Sequence, residues 1–361
     1  MNYPNSDLIR KELLGLAPYT PGEQPNLGKN VIKLNTNENP YPPSPKIQFA
    51  IENVLKQGLL RKYPNFNAKS LRESIAKKFH LDPDQVLVTN GSDEALRLLF
   101  QAVLGPGGSF VAPDPTYSLY PVLCDSLMSE IHFQKVPLLE NLHFDIENLL
   151  QKKGKLLAFA HPNAPTGILE TKNDLIHLVK NFNGVVLSDE AYIDFAPEKS
   201  SLMDQIANLP NLVVSRTFSK SYSLAGLRVG YLVGEKNLIQ WISKLKDSYN
   251  VGLLEQIIAL TALEDEEYFL KNVVLVLKER ARLTIELRTL GFQIPDSHTN
   301  FIFCKPKDGI DPEWIYKALK EKNILVRYFS NGLAKDFVRI SIGSESENDE
   351  LLRELKVILK R

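Results

Sequence analysis

Lys220 stands in a setting that could hold a phosphorylated aldehyde. The stretch from Leu212 to Gly234 reads LVVSRTFSKSYSLAGLRVGYLVG. An apolar run ends in Ser215, Arg216 and Thr217, Ser219 and Lys220 follow, and Arg228 comes eight residues after the lysine, before a second apolar run. A lysine, two hydroxyls and an arginine between two buried strands place an amine beside an anion site. Pyridoxal 5′-phosphate needs that set: its aldehyde condenses with a lysine amine, and its phosphate needs donors and positive charge.

Further polar clusters follow other apolar runs. Gly91-Ser92-Asp93 follows Val86–Thr89, His161-Pro162-Asn163 follows Leu156–Ala160, and Asp189-Glu190-Ala191-Tyr192 follows Val185–Ser188. Open parallel sheets bind ligands outside the carboxyl ends of their strands, so these clusters read as one site. Ser92 and Asp93 open a helix, whose free N–H groups suit a phosphate. Arg228 adds charge, and Thr217 and Ser219 add hydroxyls. Asp189, at the end of a buried run, needs a partner, and a protonated pyridine nitrogen is a suitable one. Tyr192 could donate to the ring oxygen, and Tyr117 could stack on the ring. Each residue also has an ordinary explanation: a helix cap for Ser92 or Asp93, an ion pair for Arg228, a cap or core pair for Asp189, packing for the tyrosines. Their joint occurrence in order favours the cofactor.

The elements that must position these residues alternate. Helical patterns at 70–79, 93–104 and 172–182 intersperse with strand-like runs at 86–89, 156–160, 185–188, 212–215 and 229–233, which predicts a mostly parallel sheet covered by helices. A helical region at 253–290 leads to strands at 300–304, 324–327 and 338–342 and helices at 312–321 and 348–359, a smaller α+β unit. The Pro- and Asn-rich first 45 residues read as an extended arm. The expected division is an arm at 1–45 joining the small domain, a large cofactor-binding domain at 46–270 and a small domain at 271–361.

Composition sets outer bounds. The 361 residues suffice for two domains, and 43 basic residues balance 43 acidic ones, so neither nucleic acid nor an anionic membrane is favoured as a partner. No apolar run is long enough for a transmembrane helix, and the first residues lack the apolar core of a signal peptide. Two distant cysteines, Cys124 and Cys304, fit a reducing, cytoplasmic setting. The six histidines have no metal-like spacing, no phosphate-binding GxxxxGK[ST] loop occurs, and neither glycine cluster fits a dinucleotide fingerprint.

At this point the chain resembles the class II aminotransferases of fold type I, and within them the branch acting on histidinol phosphate. The blocks carrying the resemblance run nearly end to end: LAPYTPG from Leu16, KLNTNENPYPP from Lys33, RKYPN from Arg61, TNGSDEAL from Thr89, PDPTYSLY from Pro113, PNAPTG from Pro162, SDEAYIDF from Ser188, RTFSKSYSLAGLRVGY from Arg216, TNFIF from Thr299 and VRISIG from Val338. The resemblance implies a seven-stranded-type sheet in the large domain, and a homodimer with shared active sites. It implies that Lys220 binds the cofactor covalently and carries a proton, with Asp189 and Tyr192 completing the catalytic set. Tyr63 would reach the phosphate of the neighbouring subunit, and Tyr19, Asn37, Arg327 and Arg339 would face the substrate. The implied reaction is transamination between L-histidinol phosphate and 2-oxoglutarate, in histidine biosynthesis. One position departs from the pattern: Ala164 stands where many relatives carry an asparagine bonded to the ring oxygen, so either Asn163 swings in, which is the favoured expectation, or Tyr192 carries the contact with less help. The rival readings are an aromatic amino-acid transaminase, a threonine-phosphate decarboxylase of the same fold, and a non-catalytic binding module.

Overall fold

The computed structural model describes residues 9–19, 22–25 and 31–360. The remaining parts of the expected arm lie outside the described residues. Within it, β1 (Ile32–Lys33) pairs in parallel with the later strand Ile324–Leu325.

Seven strands follow: β2 (Val86–Thr89), β3 (Ser109–Asp114), β4 (His132–Pro137), β5 (Leu156–Ala160), β6 (Val185–Asp189), β7 (Leu212–Thr217) and β8 (Gly230–Gly234). They form one sheet in the order β2-β8-β7-β6-β5-β3-β4. Only β8 runs antiparallel to its neighbours. The expected α/β architecture is thus present, and the carboxyl ends of β2, β5, β6 and β7 share one edge. Register ties them: Ala160 lies opposite Asp189, Asp189 opposite Ser215, and Thr89 and Thr217 flank Gly230 from either side.

The sheet is covered on both faces because its strands are apolar on both. Leu157 and Phe159 pack into one cluster with Leu175, Leu178 and Ile258, while Leu156 and Ala158 pack into another with Leu96, Leu99 and Phe100. That alternation is the period-two pattern of a strand buried on both sides. The helix Lys172–Asn181 opens as expected, with the Thr171 side chain accepting from the Asp174 N–H.

Two further strand groups lie near the carboxyl end. β9 (Phe301–Cys304), β10 (Ile324–Leu325), β11 (Arg327–Tyr328) and β12 (Val338–Ser341) complete the set. β12 is central to a three-stranded antiparallel sheet with β11 and β9, and β10 turns away to pair with β1. A single strand over 324–327 is therefore replaced by two short ones. The helical region at 253–290 is likewise two helices, Leu253–Glu264 and Glu266–Thr289. They break at Asp265, whose carboxylate takes Lys46 at 2.6 Å. Leu34, Phe301, Ile340 and Leu355 share one apolar cluster, so the arm, the small sheet and the last helix are packed together.

β3 and β4 were not anticipated. β3 carries Pro113, and β4 is a sheet edge with exposed His132 and Lys135, so neither shows a clean apolar pattern.

Candidate active site

A cavity of about 510 Å³ opens at the shared strand edge. Thirteen of the residues singled out in the sequence line it: Tyr19, Asn37, Ser92, Asp93, Tyr117, Asp189, Tyr192, Thr217, Ser219, Lys220, Arg228, Arg327 and Arg339. Asn163 and Tyr63 do not.

Asp189 is the last residue of β6 and is buried. Ser215 Oγ donates to one carboxylate oxygen at 2.8 Å, and the Tyr120 hydroxyl to the other at 3.2 Å. Burial pushes its carboxyl up to about 6, and these hydrogen bonds only partly offset that. A buried carboxylate held by neutral donors at a cavity wall lacks a cation. A pyridinium N–H would supply one, so this end of the cavity fits pyridoxal phosphate.

The other requirement is an anion cradle. The helix Gly91–Val103 begins two residues earlier than the pattern indicated, so Ser92 and Asp93 lie in its first turn. Its N-cap, Asn90, makes no side-chain capping bond, which leaves first-turn N–H groups available. Arg228 precedes β8 rather than lying on it, in a left-handed conformation at φ 54°. Its guanidinium pairs with Asp93 at 2.8 Å and donates to Ser219 Oγ at 3.3 Å. Ser219 Oγ in turn accepts from Thr217 Oγ1 at 3.0 Å. Gly91 and Gly230 permit this closeness. A Cβ on Gly91 would meet Arg228 Nη2 at 2.6 Å, and one on Gly230 would meet the Ser92 nitrogen at 2.5 Å. Asp93 is the one member that does not suit an anion by its side chain; its carboxylate neutralises Arg228, so its backbone N–H is the useful group.

Lys220 lines the same cavity. Its ammonium donates to the Thr36 carbonyl at 3.0 Å and lies 5.6 Å from the centre of the Tyr192 ring. The Asn39 amide donates to the Lys220 carbonyl at 3.1 Å, fixing the loop. Tyr117 donates to Asp93 at 3.3 Å and packs edge-on against Tyr120.

Asn163 departs from expectation. It sits in a tight turn, where its amide donates to the Pro115 carbonyl and to Thr166 Oγ1 at 3.1 Å, and it is Ala164 and Pro165 that face the cavity. Tyr192 has its own support from another part of the chain. Asn37, itself left-handed at φ 56°, donates its amide to the Tyr192 hydroxyl at 2.9 Å, and Ser341 holds the Asn37 side chain from β12. Asn37 thus lines the cavity with its amide already engaged. Tyr63 is exposed and stacks on Tyr249 at 4.6 Å, outside the cavity.

Arg327 and Arg339 enter from the small sheet, directly opposite each other on β11 and β12. Arg339 packs over Phe301 at 5.2 Å and Phe329 at 5.6 Å, and donates to the Asn35 carbonyl at 3.1 Å. Its Nε is buried and has no hydrogen-bond partner among the described residues. Burial, and Arg327 beside it, lower the guanidinium's affinity for its proton. Among the described residues neither arginine is paired with a carboxylate, and two such guanidinium groups in one cavity suit an anion.

Sequence reasoning missed Tyr120, Ser215 and Thr36. Ser215 could have been found by aligning β6 with β7. Tyr120 stood within a quoted block, but nothing in the sequence told which of its tyrosines reaches Asp189.

Among the described residues no helix is long and apolar enough to cross a membrane, and no cluster of three or more metal-ligating side chains occurs.

Comparison with known proteins identifies the family. A histidinol-phosphate aminotransferase of Syntrophus aciditrophicus is 42% identical over 366 residues, covering 99% of both chains. Histidinol-phosphate aminotransferase 1 of Trichormus variabilis is 39% identical over 98% of this chain and all of its own. The crystal structure of the histidinol-phosphate aminotransferase from Clostridium acetobutylicum superposes with a TM-score of 0.84 at 27% identity, over 91% of this chain and 99% of that one. The Sinorhizobium meliloti enzyme of the same name, solved in complex with pyridoxal 5′-phosphate, shares the fold with a TM-score of 0.84 at 23% identity over 92% of each chain. The sequence profile of aminotransferase class I and II matches residues 29–355, and with the lysine, carboxylate and paired anion sites in one cavity, the chain belongs to the class I and II aminotransferases.

Proposed function

We propose that the protein transfers an amino group between L-histidinol phosphate and 2-oxoglutarate with pyridoxal 5′-phosphate as cofactor, as a step of histidine biosynthesis. The observation that carries the reading is one cavity that draws arginines from two places, Arg228 just before β8 of the large sheet and Arg327 with Arg339 from the small one. The first suits the cofactor's phosphate. The other suits the substrate's phosphate and, in the reverse half-reaction, a carboxylate of glutamate. The relatives at about two-fifths identity carry the name of this activity.

When bound, pyridoxal phosphate supplies an aldehyde that takes up the substrate's amine and a ring that draws electrons from the carbon bearing it. The chain supplies the rest. Asp189 holds positive charge at the ring nitrogen in a buried setting where that charge counts most. Lys220 Nζ would anchor the cofactor and, once displaced by the substrate's amine, would take the proton from the amine-bearing carbon and deliver it to the cofactor's aldehyde-derived carbon. Tyr192, fixed by Asn37, donates towards the ring oxygen. Ser92, the Asp93 N–H, Thr217, Ser219 and Arg228 hold the phosphate.

On this reading the molecule is a homodimer in which Tyr63 completes the neighbour's phosphate site. Support comes from the 81% exposure of Tyr63 and the exposed apolar residues Phe49, Leu60, Phe66 and Tyr249. The division into 1–45, 46–270 and 271–361 is retained, with the helix Glu266–Thr289 running across the last join. A cytoplasmic setting is supported by Cys124 and Cys304, both buried and unpaired.

The test is a direct comparison of substrates. Histidinol phosphate with 2-oxoglutarate should give glutamate with the highest kcat/KM. Preference for tyrosine or phenylalanine, or release of carbon dioxide from threonine phosphate, would replace this reading with one of its rivals.

A further inference from the structure

Tyr120 raises a question that packing alone does not answer. It is fully buried, on the helix Leu119–Ser126, inside an aromatic cluster with Phe100 and Phe110, each 6.0 Å away, and Tyr117 at 5.7 Å. Phenylalanine would fill that space without a hydroxyl to satisfy, and a buried hydroxyl costs free energy unless it is bonded. The Tyr120 hydroxyl is bonded to Asp189 Oδ2 at 3.2 Å. Ser215, one strand away and in register with Asp189, takes the other oxygen at 2.8 Å. Each carboxylate oxygen therefore has a neutral side-chain donor, the two donors come from different elements, and the Ala191 N–H acts in the same sense.

We propose that Tyr120 and Ser215 are positioning residues that keep the shared proton on the cofactor's ring nitrogen rather than on Asp189. The inference rests on the reading that the cavity takes pyridoxal phosphate. Donors to a carboxylate stabilise its ionised form and lower its basicity. Burial acts the other way and draws the Asp189 carboxyl up to about 6. If burial prevailed, the proton between Asp189 and the ring nitrogen would move to the carboxyl, leaving a neutral ring that withdraws electrons poorly. Asp93 is a further charge that acts on Asp189 in the same direction as burial. It is paired with Arg228 at 2.8 Å, which limits its influence. The donors themselves are fixed: burial, then the Asp189 charge, hold the Tyr120 phenol well above its usual range, so it remains a donor throughout the working range of pH. The same hydrogen bonds set the direction of the carboxylate, because donors on both oxygens leave it one rotation about its bond to the Cβ.

The experiment uses holoenzyme loaded with cofactor labelled with nitrogen-15 in the ring. The nitrogen resonance distinguishes a protonated ring from a neutral one, which activity cannot. In the wild type it should report a protonated ring. In Tyr120→Phe and in Ser215→Ala it should move toward the neutral position, and further in the double variant. Loss of one hydrogen bond to a charged group should also speed cofactor dissociation about tenfold. Ser215→Ala leaves the aromatic cluster intact, so it decides the matter if Tyr120→Phe does not fold. A resonance unchanged in the folded variants, whatever happens to their thermal stability, would make Tyr120 and Ser215 packing residues and overturn the inference. A wild type that takes up no cofactor would instead overturn the reading of the cavity.

Discussion

Arg327 and Arg339 are register partners on β11 and β12 and both line the cavity, and among the described residues neither is paired with a carboxylate. Their mutual repulsion is an arrangement that an anion relieves. The substrate brings a phosphate and glutamate brings carboxylates, and on the proposed reading this one site takes them in turn. A planar fork of donors suits either.

Arg339→Lys should therefore lower kcat/KM in both half-reactions, by roughly 1.5–3 kcal/mol, the size of a lost charged hydrogen bond. Single-turnover kinetics with histidinol phosphate and with glutamate separate the two. An effect confined to one half-reaction would mean that the two substrates use different anchors.

Asp189→Ala should still take up cofactor while losing activity on the order of 100-fold or more, because a preorganised charge partner is gone. Turnover near that of the wild type would reduce Asp189 to a structural strand end.

The same residue predicts a pH dependence in the cofactor-free chain. Its carboxyl is raised from 3.8 to about 6 by burial. Between these values the folded state binds more protons than the unfolded one, so stability falls as pH rises and the full cost is present above about 6. Two units correspond to roughly 3 kcal/mol. Asp189→Asn removes this ionisation, so its stability relative to wild type, from urea unfolding of cofactor-free protein, should increase between pH 4.5 and pH 7.5. A constant difference across that interval would contradict the assigned burial cost.

Gly230→Ala should weaken cofactor binding while the sheet survives. The added Cβ would meet the backbone of Gly91 and Ser92 at 2.7 and 2.5 Å, and backbone yields less readily than a side chain tip. Overpacking of this kind costs about 1–3 kcal/mol. Equilibrium titration with pyridoxal phosphate should show roughly tenfold or greater loss of affinity; unchanged affinity would place the phosphate away from the first turn of that helix.

How far the sequence discloses this site depends on distance along the chain. β5 and the helix Pro312–Glu321 have the bounds the pattern predicts, because one is an unbroken apolar run and the other opens with a capping Asp311 and proline. The strand-end clusters were legible because a parallel sheet gathers such ends. β3 and β4 were hidden by a proline and by edge polarity. The pairing of Asn37 with Tyr192 joins residues 155 apart through a left-handed asparagine, and no local pattern encodes it. The same holds for Tyr120, whose contact with Asp189 arises only when the helix after β3 packs beside β6.

The composite site has its own test. Tyr63→Phe and Lys220→Ala proteins, mixed and allowed to exchange subunits, should form hybrids with one site carrying both lesions and one carrying neither. Activity above that of either parent supports a Tyr63 contribution across the interface. No gain after verified exchange would mean that Tyr63 acts within its own subunit or not at all.

The most direct measurement concerns Lys220. Protein loaded with pyridoxal phosphate should absorb in the visible, and reduction with borohydride should fix the cofactor on the peptide containing Lys220, identified by mass. Lys220→Ala should take up cofactor without becoming labelled. Label on any other lysine, or none at all, would contradict the account.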